Sequence, residues 1–145
     1  MHTKKQIIAT LCVVACLTAV PISQAYAVGP EQNCMKVEIM PLMEYISDAG
    51  CDFYIEDGVA YTDAYVVGYS SMATKCEIEV ELQEKSGLLW KYYDSWSVSE
   101  NGRRADLNES TEVSDGKSYR VVTKVTVWSG TKSETQTLTS KTLMG

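Results

Sequence analysis

Histidine is almost missing from this chain: the one imidazole in 145 residues belongs to His2. Ser-His-Asp and Cys-His hydrolases, histidine acid–base catalysis and most zinc sites depend on that ring, so those classes fall away first. Basic charge is also short, with 13 Lys and Arg against 19 Asp and Glu and a net charge of −6. An acidic chain lacks the basic face that nucleic acid demands. Three prolines and nine glycines are too few for a collagen-like or linker composition. What remains, 45% hydrophobic and 22% charged, is the make-up of one globular domain.

Only one long apolar run exists, at residues 7–20, and it sits behind Lys4 and Lys5. Pro21 ends it, and Ala25-Tyr26-Ala27 has the small-residue pattern cut by signal peptidase. A spanning helix needs about 20 apolar residues, and this run has 14. Residues 1–27 therefore read as a signal peptide, and the expected product is a secreted, extracellular chain with no membrane attachment. The alternative is a lipid anchor through Cys16, since Val13-Val14-Ala15-Cys16 resembles a lipoprotein box. Cleavage removes Lys4, Lys5 and His2, which takes the net charge from −6 to −8 and leaves no imidazole.

Residues 28–50 form a mixed lead-in that reads equally as a turn of helix around 42–47 or as an extended edge strand. From Cys51 onward the period is two. Cys76, Ile78, Val80 and Leu82 alternate with Glu77, Glu79, Glu81 and Gln83, the mark of a half-buried antiparallel strand. Turn residues at Asp57-Gly58, Ser86-Gly87, Asn101-Gly102 and Ser129-Gly130 separate seven expected strands. They cover 51–55, 59–69, 76–83, 88–98, 103–113, 119–128 and 134–142. The expectation is an all-β domain at 51–143, a seven-stranded antiparallel β-sandwich of immunoglobulin or fibronectin type. A small β-barrel is the competitor. Tyr119, three residues after Gly116 and two before Val121, has the spacing of a tyrosine corner.

The ordered set G-x-A-x-x-x-A-x-V-x-G-Y (58–69), x-L-Q-x-K (81–85), W-x-x-x-x-S-W (90–96), G-x-S-Y-R-V (116–121) and S-E-T (133–135) carries a resemblance. It is similar to a family of small secreted proteins of gut and related Gram-positive bacteria, built on a fibronectin- or immunoglobulin-like domain with no assigned activity. The likeness spans 45–142. It implies export and a sandwich, and no functional residues. The present chain departs from that family in its wealth of Tyr and Glu.

With the leader gone, three cysteines remain, Cys34, Cys51 and Cys76. Cys51 and Cys76 both lie on inward faces, so a disulfide between them is the leading expectation, with Cys34 as an alternative partner and three reduced thiols as the other outcome. Closing that loop of about 25 residues would contribute on the order of 3 kcal/mol. The outward row Glu77, Glu79, Glu81 wants cations across the ladder, and Arg120 and Lys124 are placed to supply them. Glu56-Asp57-Gly58 with Asp63 is read as a turn, because calcium-loop spacing is absent; no metal or cofactor is expected.

The candidate site is the 59–69 strand. Ala60, Thr62, Ala64 and Gly68 suit a tight inner face, which sends Val59, Tyr61, Asp63, Tyr65 and Val67 outward, with Tyr54 nearby. A rigid tyrosine stripe suits recognition of a glycan or protein ligand. The opposite outcome is a stripe covered by Met40, Leu42, Tyr45 and Ile46, or by a second copy in a homodimer. Trp90 and Trp96, six apart, are expected on one face if their strand is unbroken.

These features point to a secreted binding or interaction module with no catalytic role. The alternative is a self-associating structural or cell-surface protein that uses the stripe and the Thr-rich last strand. A hydrolase with paired carboxylates, Asp94 with Glu100 or Asp106, is the remaining option, and it needs the two within roughly 5–10 Å.

Overall fold

The computed structural model describes the backbone of Asn33–Lys36 and, in full, residues 43–145. The leader, Cys16, the side chain of Cys34, Met40 and Leu42 lie outside the described residues. The described residues form nine strands: β1 Asn33–Lys36, β2 Ile46–Glu56, β3 Val59–Gly68, β4 Lys75–Ser86, β5 Leu89–Asn101, β6 Arg104–Glu112, β7 Ser118–Ser129, β8 Lys132–Thr139 and β9 Leu143–Met144. One sheet has the order β1-β2-β3-β6. The other has β5-β4-β7-β8, with β9 also on β7. Every pairing is antiparallel. The two sheets stay separate, so the fold is a sandwich and not a barrel. The pairings β3–β6 and β4–β7 bring sequence-distant strands together in the Greek-key manner of immunoglobulin- and fibronectin-like domains.

Side-chain parity explains the layers. Cys76, Ile78, Val80 and Leu82 of β4 are buried, as are Val121, Val125 and Val127 of β7. From the other sheet come Phe53, Ala60, Ala64, Val66 and Leu107. Small residues on β3 leave room for Phe53, which is 0% exposed and sits beside Thr62 in the ladder. Asp57 and Gly58 both take positive φ (50° and 74°), the type I′ geometry that matches strand twist in a two-residue hairpin. The first core strand begins at Ile46, not Cys51, so the extended alternative holds for the end of the lead-in. Tyr45 and Ile46 enter the core, at 6% and 1% exposure.

Three polar ties index the layers. The Ser114 N–H donates to the Tyr119 hydroxyl at 3.0 Å, closing the tyrosine corner with the ring fully buried. The Thr123 hydroxyl, buried in the middle of β7, donates to Cys51 Sγ at 3.1 Å across the sandwich. At the open side, the Glu134 carboxylate of β8 accepts the N–H groups of Tyr45 and Ile46 at 2.8 Å each and of Glu44 at 3.0 Å. Burial alone would raise the Glu134 pKa; the three backbone donors outweigh it and hold the carboxyl below its ordinary value.

Two expectations need correction. Trp90 and Trp96 do not share a face, because the β4–β5 register shifts between Leu82 and Gln83 and makes Tyr93 an extra residue. Trp96 packs toward the core opposite Val80, whereas Trp90 faces outward opposite Lys85. The bulged Tyr93 turns inward, edge-on to Tyr119 at 5.3 Å, and donates to the Glu112 carbonyl at 2.9 Å.

Nor are Cys51 and Cys76 joined. They lie on different sheets, and Thr123, the partner of Cys51, is registered on Val80. Cys76 is four positions further along β4, roughly 13 Å away at strand rise, whereas a disulfide needs Cα atoms within about 7 Å. The Cys76 thiol donates instead to the Gly102 carbonyl at 3.5 Å. Burial pushes its pKa up, against a smaller lowering effect of a hydrogen bond with the Gly68 backbone.

Candidate functional site

The outer face of the four-stranded sheet carries all five residues of the tyrosine stripe, and ladder register arranges them in rows. Val59 pairs with Glu56 and Glu112, Tyr61 with Tyr54 and Ser110, Tyr65 with Gly50 and Asp106, and Val67 with Asp48 and Arg104. Val59, Tyr61, Tyr65 and Val67 are half-buried by their neighbours in the same sheet, and Asp63 is exposed. Tyr45 and Ile46, named as a possible cover, lie in the core instead.

The tyrosines divide into two environments. Tyr54 and Tyr61 stack on each other, centroids 4.9 Å apart and planes within 11°. Desolvation, with the charge of Asp63 next, raises the Tyr54 phenol above its ordinary pKa. Tyr65 is held more tightly. A Cβ on Gly50 would come within 2.6 Å of its ring, which shows that the ring lies directly on the Gly50 backbone. Its hydroxyl donates to Asp48 Oδ2 at 3.3 Å, and the Arg104 guanidinium stands 5.6 Å above the ring. Arg104 in turn forks onto the Asp106 carboxylate, which raises its pKa further. Tyr65 is thus a fixed wall, and Tyr54 with Tyr61 form the accessible aromatic surface.

Beside this pair, Tyr61, Asp63, Asn108, Glu109 and Ser110 line a shallow cleft of about 240 Å³. In the ladder Asp52 stands directly opposite Asp63, and Asp52 Oδ1 is buried with no hydrogen-bond partner among the described residues. Among the described residues no three His, Cys, Asp or Glu side chains converge as metal ligands. The cleft offers an aromatic surface, carboxylates, an amide and a hydroxyl within one patch.

The second sheet follows the charge pattern at Lys124 but not at Arg120, which stands opposite Gln83 and not a carboxylate of the Glu row. Lys124 is opposite Glu79 and ion-pairs with it, Lys75 pairs with Glu77 at 3.5 Å, and Arg120 donates to Gln83 at 2.7 Å. Sequence reasoning did not find the trough of about 520 Å³ on this face, lined by Glu79, Glu81, Ser95, Ser97, Val122 and Lys124. Its signal was available in the small serines at every second position of 95–99. The carboxylate pairs do not assemble: Asp94 and Glu100 are six residues apart on β5, about 20 Å. Asp106 is engaged by Arg104 on the opposite sheet.

Among solved structures, the chain is similar to CsgH of R. palustris, known from its solution structure, with a TM-score of 0.36 and 10% identity over 61% of this chain and 88% of that one. No protein-family model matches the chain, and no curated protein does.

Proposed function

We propose that this chain is an exported, non-catalytic binding module that recognises an extracellular glycan through the outer face of its four-stranded sheet. The observation that carries this reading is the Tyr54–Tyr61 stack beside a polar cleft on rigid strands. Sugars present C–H faces that pack on aromatic rings and hydroxyls that bond to carboxylates and amides, and Tyr61, Asp63 and Asn108 supply both. Strand-borne side chains lose little freedom on binding, which favours affinity. Export rests on the leader-like segment 1–27.

Binding of the purified chain to glycan and protein arrays tests the reading, with Tyr61→Ala and Tyr65→Ala in parallel. Tyr61→Ala should weaken binding by about tenfold or more, the usual cost of truncating an aromatic anchor. Unchanged binding in both variants removes the stripe as the site, and a protein hit in place of a glycan overturns the ligand class. Self-association is the second reading. It is favoured by β8, an eight-residue edge strand with an unshifted register on β7 and exposed Thr135, Thr137 and Thr139. Sedimentation would show it as a dimer or larger.

A further inference from the structure

The tip of the β4–β5 hairpin is apolar where its geometry asks for nothing of the kind. Gly87 takes φ +63°, while Leu88 is not among the positive-φ residues, so the turn requires glycine at its first central position only. The β7–β8 hairpin is an internal control. It uses Gly130, at φ +64°, and follows it with Thr131 and Lys132. The corresponding residues of the first hairpin are Leu88 and Leu89, exposed by 97% and 68%. No packing inside the described structure accounts for two adjacent leucines in water.

The residues behind the tip change character in order. Next come Trp90, outward-facing, and Tyr92, 63% exposed. Beside them stand Lys85 and Lys91, both exposed and neither in an ion pair among the described residues. The Arg120 guanidinium lies 4.3 Å over the Trp90 ring, so a third cation is fixed at this level. The adjacent Glu84 carboxylate is already matched by Lys117 at 3.5 Å. Apolar tip, aromatic belt and cationic collar follow the depth profile of a bilayer interface: acyl chains, carbonyl region, anionic headgroups.

We infer that the β4–β5 hairpin docks the protein peripherally on an anionic lipid surface, inserting Leu88 and Leu89 while Lys85, Lys91 and Arg120 meet the headgroups. This contact is separate from the glycan face and does not depend on it. Two leucines and three cations make a reversible attachment, one that positions the sandwich at a membrane without spanning it.

The test uses the full chain and vesicles of phosphatidylglycerol or phosphatidylcholine with brominated acyl chains, reading tryptophan emission. Bromine quenches only an indole at the bilayer, so attachment through any other segment leaves Trp90 bright. Phosphatidylglycerol vesicles should quench part of the emission, and Trp90→Phe should abolish that part. Leu88→Ser with Leu89→Ser should weaken the effect at least about tenfold. Lys85→Gln and Lys91→Gln should each cost about fivefold, and phosphatidylcholine more. The lysine variants keep the test open if the serine variant fails to fold. Vesicle binding without quenching of Trp90, or quenching unchanged by the leucine substitutions, overturns the inference; so does the absence of any effect of phosphatidylglycerol vesicles.

Discussion

Replacing Glu134 should loosen the entry of β2. Its carboxylate accepts three consecutive backbone N–H groups, from Glu44, Tyr45 and Ile46. A hydrogen bond to a charged group contributes about 1.5–3 kcal/mol net. The Glu44 bond is exposed, so water replaces it at little cost, and solvent screening puts the other two at the low end. Glu134→Ala should therefore cost about 2–3 kcal/mol, which for a domain of this size lowers Tm by roughly 10–20 °C. Glu134→Gln keeps a neutral acceptor and should lose about half as much.

The pH dependence has a definite sign. The folded carboxyl has a lowered pKa. Its stabilisation is fully present above the unfolded value of about 4.3 and disappears as the pH falls through the lower folded value. Urea titrations of the native and Ala chains at pH 7 and at successively lower pH measure the gap directly. It should shrink toward acid. A gap below about 0.5 kcal/mol at pH 7 would refute the reasoning, because it falls under the net value of a single such bond. A gap that survives unchanged in acid would refute the electrostatic part.

Two further changes probe the packing. Tyr119→Phe deletes the acceptor of the Ser114 N–H while leaving the core ring in place, so urea denaturation should show a loss of about 1–2 kcal/mol with an unchanged m-value. Gly50→Ala drives a Cβ into the Tyr65 ring. It should cost about 1–3 kcal/mol by overpacking, and adding Tyr65→Ala should remove most of that penalty in a double-mutant cycle.

The parts of the fold that were legible in the chain are those with local causes. Strict alternation over 76–83 settles which face of β4 is buried, and Asp57-Gly58 announces its turn through residues that tolerate positive φ. The Glu79–Lys124 pair was readable because both charges sit on outward positions of strands that must be neighbours. Other features have causes distant in the chain. The bulge at Tyr93 depends on Tyr119 and on the Glu112 carbonyl, so counting along β5 alone sets Trp90 and Trp96 on one face. Inward parity at Cys51 and Cys76 says nothing about which sheet each joins or how far apart they lie. Glu134, in a Thr-rich strand, finds its donors 88 to 90 residues earlier. Within the site, alternation placed all five stripe residues correctly, but only the register to Gly50 reveals that Tyr65 is pinned while Tyr54 and Tyr61 remain available.

The Thr123 hydroxyl has a consequence for how the halves of the molecule mate. Greasy surfaces tolerate slippage, since one valine fits beside another nearly as well two residues along. A lone donor in that setting is less forgiving. Displace one layer by a single step and the hydroxyl loses Cys51, stranded away from water at a cost of about 1–3 kcal/mol. Threonine at this position therefore acts as a dowel, choosing one alignment among several that oiliness alone would accept.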